Sequence, residues 1–313
     1  MSNTKYHIIQ LDSLEDGVTL HVHLWPTKNA IGWVHIMHGM SEHGGRYDGL
    51  AKVLNSEGFN VSAGDHRGHG LTGKAANTLG HLANQNGWNK VVVDQAEIIT
   101  HLQQQWSQPL TILGHSMGSF LATRVAQRYA KKLANQLQGL VLSGSNYSPP
   151  WLFRIGSVIA SFERWRRGPL AQSRLLDQLS FGSFNNNFKP LRTPKDWISS
   201  DSVAVDTYIA DPLAGHGISN QFWYDFLLGL AELSEPESMS QINNNLPIYL
   251  FSGDKDPVGK QGRGVIALQK ALQRAGSKQV DCCLYPNGRH EMLNELNKQQ
   301  VIQDLLVWLQ KKL

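Results

Sequence analysis

Short apolar runs recur along the chain between longer stretches whose apolar residues return every three or four positions. The runs are "YHIIQLDS", "VTLHVHLWP", "IGWVHIMHG", "FNVSAGDH", "LTILGHS", "GLVLSGS", "PIYLFSGD" and "VDCCLYP". Most of the later ones are almost continuously apolar, the pattern of strands covered on both faces, whereas "VTLHVHL" alternates as an edge strand does. Helical spacing marks the stretches near 46–57, 88–106, 117–131, 261–275 and 297–312. This alternation predicts an α/β fold: a mostly parallel, doubly wound sheet of eight strands flanked by helices.

The alternation breaks once. About a hundred residues separate "GLVLSGS" from "PIYLFSGD", far more than a simple crossover needs. The insertion opens with "SPPWLFRIGSVIASFERW", in which Leu152, Ile155, Ile159 and Phe162 fall on one helical face and Arg154, Ser157 and Arg164 on the other. A helical cap over 147–217 is therefore expected, set into a core made of 1–146 and 218–313. The short runs "FNNNF" and "INNNLP" read as loop or hinge sites.

Composition adds limits. With 313 residues, 41% of them hydrophobic and 17% charged, the chain has ample core material for a folded domain. The net charge is +4, but the basic residues are scattered apart from Arg164, Arg166 and Arg167, so no nucleic-acid-binding stripe is present. The opening "MSNTKYHIIQLDSLEDG" lacks a signal-peptide pattern and no apolar stretch reaches spanning length, so a cytoplasmic location is expected. Cys282 and Cys283 are adjacent on a strand and point to opposite faces, as reduced structural residues do. His21 and His23, and His66 and His69, have spacings that suit a metal but no evident third ligand, so structural hydrogen bonding is expected and no metal is invoked.

Reactive groups of such a sheet lie just after its strands. At the end of the fifth run stands "GHSMG", a Gly-x-Ser-x-Gly pattern. It reads either as a helix-capping turn or as a nucleophile elbow that exposes the Ser116 hydroxyl. A serine needs a base, and in this architecture the order is Ser, then acid, then His. Only His216 and His290 follow Ser116. His216 precedes the seventh run, so His290, in "YPNGRHEML", is the base. The acid belongs in "LFSGDKDPV", where Asp256 is preferred because Pro257 biases it to an extended conformation, with Asp254 as the alternative. The oxyanion of a tetrahedral intermediate would be met by the backbone N–H of Met117 and, from the loop "HGMSEHGGRY", of Met40. His115 is expected to point away from the nucleophile as a supporting residue.

"HGMSEHGGRY", "DHRGHG", "GHSMG", "GDKDPV" and "NGRHE" occur in this order and together resemble the monoacylglycerol lipase and lysophospholipase branch of the α/β-hydrolases. The resemblance implies a Ser116–Asp256–His290 triad, no cofactor, and a mobile cap over an apolar acyl pocket. It places Glu42 and Arg46 near the polar head group of the substrate. Some animal members carry a second histidine where this chain has Leu293, which leaves strict glycerol recognition open. The expected function is hydrolysis of small-molecule acyl esters through an acyl-enzyme, with Leu152, Ile155 and Ile159 at the pocket mouth and transient membrane contact through the cap. A broad carboxylesterase, a peptidase of the same fold and an inactive lipid-binding module are the alternatives.

Overall fold

The computed structural model describes residues 5–133 and 136–312. Its strands are β1 (His7–Asp12), β2 (Thr19–Trp25), β3 (Gly32–Met37), β4 (Phe59–Gly64), β5 (Leu110–His115), β6 (Leu137–Ser143), β7 (Ile248–Gly253) and β8 (Val280–Tyr285). They form one sheet in the order β1-β2-β4-β3-β5-β6-β7-β8, with β1–β2 and β2–β4 antiparallel and every other pair parallel. The helices are α1 (Asp48–Ser56), α2 (Gly70–Ala75), α3 (Gly87–Leu102), α4 (Met117–Arg128), α5 (Ala130–Leu133), α6 (Pro150–Arg167), α7 (Arg174–Phe181), α8 (Ser202–Ala210), α9 (Asn220–Leu233), α10 (Pro236–Met239), α11 (Arg263–Arg274) and α12 (Lys298–Gln310). One apolar core joins one sheet face to α3, α4, α9 and α11; the other joins the opposite face to α1 and α12. This is the α/β-hydrolase arrangement, and β3 to β7 are buried on both faces because helices cover them from either side.

The alternation of "VTLHVHL" does not mark an edge. β2 is an interior strand, buried along nearly all its length, and β1 is the edge. Its polar positions are buried with partners: His21 shares a hydrogen bond with Gln10 at 3.0 Å, and His23 donates to Asp65 at 3.2 Å. A histidine with a partner is tolerated where an unpaired polar group is not.

Helices α6 to α10 lie between β6 and β7. Pro150 opens α6, where its fixed φ suits a first turn, and Gly168 at φ 92° closes it. The face of α6 turned to α9 is made of small residues, with Gly156, Ser157 and Ala160 allowing the helices to approach closely. Buried Glu163 on the same face accepts from Ser173 Oγ at 2.5 Å and is also paired with Arg166. The apolar stripe consequently faces outward: Leu152, Ile155 and Phe162 are exposed, and only Ile159 packs against the core. The periodicity is as expected, but the buried face is the opposite one, because close helix packing here selects small residues over large apolar ones.

Candidate active site

The loops that follow β3, β5, β6, β7 and β8 meet at the carboxyl edge of the sheet. At the end of β5 the chain turns sharply, with Ser116 at φ 53° and ψ −121°. A side chain pays for such a backbone only when its surroundings over-determine it. Here they do, since a Cβ on Gly118 would lie 1.9 Å from the Met37 carbonyl and one on Gly114 would lie 2.2 Å from the Gly118 carbonyl. Ser116 N–H donates to Ser143 O at 2.8 Å, which ties the turn to β6. Helix α4 begins at Met117, so the N–H of Met117 belongs to a first turn without intrahelical acceptors.

Ser116 shares a cavity of about 390 Å³ with Met40, Met117 and His290. Behind His290, its Nδ1–H donates to Asp256 Oδ1 at 3.0 Å, and Asp256 is fully buried. The carboxylate also accepts from Ser252 Oγ at 2.7 Å and from Val258 N–H at 2.9 Å. Burial works against charge on both groups, but their mutual attraction outweighs it: Asp256 is held below the usual carboxylate range and His290 is raised above its ordinary value. Asp254, the alternative acid, points elsewhere and accepts from Asn287 N–H at 2.8 Å, bracing the loop after β8. His115 shares a hydrogen bond with Ser143 Oγ at 3.2 Å, and its ring lies 4.7 Å from that of His290. Burial, and then the neighbouring His290, lower its pKa to about 4, so it is neutral at physiological pH.

Glu42 and Arg46 enter the site by different routes. Glu42 lines the cavity, and its carboxylate accepts from Gly39 N–H and from Tyr47 OH, the latter at 3.0 Å. Arg46 stands behind the wall in a bidentate pair with Glu291 at 2.9 and 2.8 Å, and also bonds Glu42 at 2.5 Å. Burial pushes Glu291 upward, yet Arg46 prevails and brings it to about 2. Arg46 is therefore engaged with two carboxylates. Leu293 lies with Arg46 and Tyr47 in a separate groove on the far side of this cluster.

Leu152, Ile155 and Ile159 do not line the cavity; Phe153 is the α6 residue that does. The apolar part of the wall includes Phe120, Phe153, Ile218, Phe226 and Leu230, and the Trp197 ring lies tilted beside His290 with ring centres 5.2 Å apart. These residues carry no motif, and helical spacing alone could not say which face of α6 or α9 turns toward the serine. Glu291 was nearer to legibility, as an acid directly after the base in "GRHEM".

Among the described residues, His23, His43 and Asp65 bring ligand atoms within 4.8 Å of one another. The Asp65 carboxylate is already occupied by donors from His23, Gly44 and Leu71, and His43 Nε2 donates to Asp211 at 2.8 Å. His66 bonds His38, through its backbone N–H and through its ring, at 3.0 Å each.

The family described as serine aminopeptidase, S33 (Hydrolase_4) matches residues 28–297. A monoacylglycerol lipase from Mycolicibacterium smegmatis is 27% identical over 296 residues, covering 94% of this chain and 93% of its own. A human monoglyceride lipase is 23% identical over 304 residues, covering 95% and 88%. The crystal structure of a thermostable carboxyl esterase from Bacillus coagulans, in complex with glycerol, superposes with a TM-score of 0.89 at 25% identity and covers 98% of each chain. With a family match over most of its length and the elbow, loops and sheet order described above, the chain belongs to the serine aminopeptidase S33 family of α/β-hydrolases.

Proposed function

We propose that the protein is a serine hydrolase that cleaves carboxylic esters of acyl lipids, with residues 147–217 acting as a cap over the site. Ser116 Oγ attacks the ester carbonyl as His290 Nε2 takes its proton, Asp256 holds Nδ1–H and balances the imidazolium, and the N–H groups of Met40 and Met117 receive the oxyanion. The proton passes to the departing alcohol, and a water repeats the sequence on the acyl-enzyme. The observation that carries this reading is one cavity bounded by a strained serine and by a histidine whose far nitrogen is held by a buried carboxylate. The similar monoacylglycerol lipase and carboxyl esterase support ester hydrolysis as the reaction.

The apolar wall of Phe120, Phe153, Ile218, Phe226 and Leu230 would take the acyl chain, leaving the alcohol by Glu42 and Glu291. The outward stripe of α6, with Trp165 79% exposed and Arg166 and Arg167 beside it, suits transient contact with a lipid surface. The test is kcat/KM along p-nitrophenyl esters of rising length, then on monoacylglycerols. Each CH₂ that fits is worth about 0.8 kcal/mol, roughly fourfold, so the values climb and then stop where the cavity ends. A flat series, with no turnover of monoacylglycerol, would contradict an acyl-lipid substrate. The family's description favours a peptidase as the second reading, and aminoacyl anilides in the same screen decide between them.

A further inference from the structure

The loop after β3 carries Met40 between two anchors of different origin. On the core side, Glu42 accepts from Gly39 N–H and is itself held by Tyr47 and Arg46. On the other side stands Ser41, a non-glycine residue at φ 56° and nearly buried. Among the described residues, the hydrogen bonds that Ser41 makes all run to one stretch of the insertion. Gly215 N–H donates to the Ser41 carbonyl at 2.8 Å, Tyr208 OH donates to the same carbonyl at 3.1 Å, and Ser41 Oγ donates to the His216 carbonyl at 2.9 Å. His43, two residues on, donates to Asp211 at 2.8 Å. The Met40 N–H itself has no acceptor among the described residues, and Met40 lines the cavity with Ser116.

We propose that Ser41 is a positioning residue through which the segment 208–217 sets the oxyanion donor at Met40, so that the hole is complete only when this part of the insertion is docked. Met40, whose N–H is the donor, is followed directly in the chain by the residue whose left-handed conformation the insertion holds, and it is preceded by Gly39, whose N–H is tied to Glu42. Release of Ser41 lets the loop relax toward ordinary φ values and turns the donor away from the oxyanion. Segment 208–217 thereby acts on the transition state as well as on access. The inference rests on the ester-hydrolase reading of Ser116, and its failure is separable from the failure of that reading.

The test uses Ser41→Ala, which deletes one tie, Tyr208→Phe, which deletes another while keeping the ring, and the double variant. Each is compared with wild type for hydrolysis of a short p-nitrophenyl ester, for inhibition by a trifluoromethyl ketone whose adduct places an oxyanion in the hole, and for binding of an unreactive ether analogue. The expected result for the double variant is a fall in kcat of about 10- to 100-fold, a matching loss of ketone affinity and unchanged ether binding. Asp211→Asn, which removes only the partner of His43, gives a smaller change in the same direction and remains informative if the double variant fails to fold. Ketone affinity and kcat within twofold of wild type, or an equal loss for ketone and ether, would overturn the inference. A wild-type protein that hydrolyses no ester and takes no ketone would overturn the reading beneath it as well.

Discussion

Ser116 and His290 are ordinary side chains made reactive by neighbours that leave them few other states. Asp256 is the decisive one, because it accepts from His290 Nδ1 and so presents Nε2 as the free lone pair. Asp256→Asn should lower kcat on the order of 10⁴-fold, through loss of the correct tautomer and of the charge that steadies the imidazolium. Asp254→Asn should stay close to wild type in a steady-state assay, since its carboxylate braces Asn287 and pairs with exposed Lys255 without reaching His290. Equal losses would mean that both aspartates act through the shared loop. The pH dependence follows from the same pair. Burial lowers the pKa of His290, but Asp256 more than compensates, so the group lies above its ordinary value of 6.5. The base works only when neutral, so kcat/KM should rise with pH through a midpoint above 6.5, and the residual activity of Asp256→Asn should rise through a lower one. A pH–rate profile of both proteins checks the sign; a midpoint that moves upward in the variant would contradict it.

Among the elements, α6 shows why periodicity reveals a helix without revealing its orientation. Its sequence reads as a helix with an apolar stripe, and both are present. The assumption that the stripe is buried fails, because α9 needs a close approach that only Gly156, Ser157 and Ala160 permit. Phe153, between two exposed neighbours, is the residue that reaches the cavity. Two outcomes follow. Phe153→Ala should selectively reduce kcat/KM on long esters, by on the order of tenfold, because it removes apolar wall from the acyl end. Ile155→Asp with Phe162→Asp should leave a short soluble ester within about twofold of wild type, as exposed substitutions usually do, while weakening sedimentation with anionic vesicles. A long-chain defect as large in the second variant as in the first would return the outward stripe to the acyl site. For β2, similarly, alternation alone could not foresee that His21 and His23 find partners and let an interior strand carry polar residues.

At the scale of the whole molecule, the sheet was legible because strands covered on both faces must be apolar, and the order of Ser116, Asp256 and His290 could be read against the strands that precede them. Turn chemistry identifies glycines that a Cβ would not fit, such as Gly118. The cavity wall was not legible, since it is assembled from distant segments by packing and carries no local signal. The buried cluster of Glu42, Arg46 and Glu291 belongs to this category too, joining the loop after β3 to the loop after β8 across the edge of the sheet. Arg46→Met should cost about 3–5 kcal/mol in urea unfolding, because it leaves two buried carboxylates without their cation. The sign with pH is defined. Glu291, depressed to about 2 by Arg46, contributes stability that is present above its unfolded pKa and lost as pH falls toward 2. The deficit of the variant should therefore shrink in acid, where wild type loses that contribution; a deficit independent of pH would point to lost packing instead. Beneath all of these outcomes lies the claim that Ser116 is an activated nucleophile. Its most direct measurement is peptide mass analysis after treatment with a fluorophosphonate, on wild type and on Ser116→Ala. A single phosphonyl adduct is expected on the peptide containing Ser116, formed with loss of esterase activity, and no adduct on the folded alanine variant; an unlabelled Ser116 in active enzyme, or labelling that persists in Ser116→Ala, would contradict an activated nucleophile at this position.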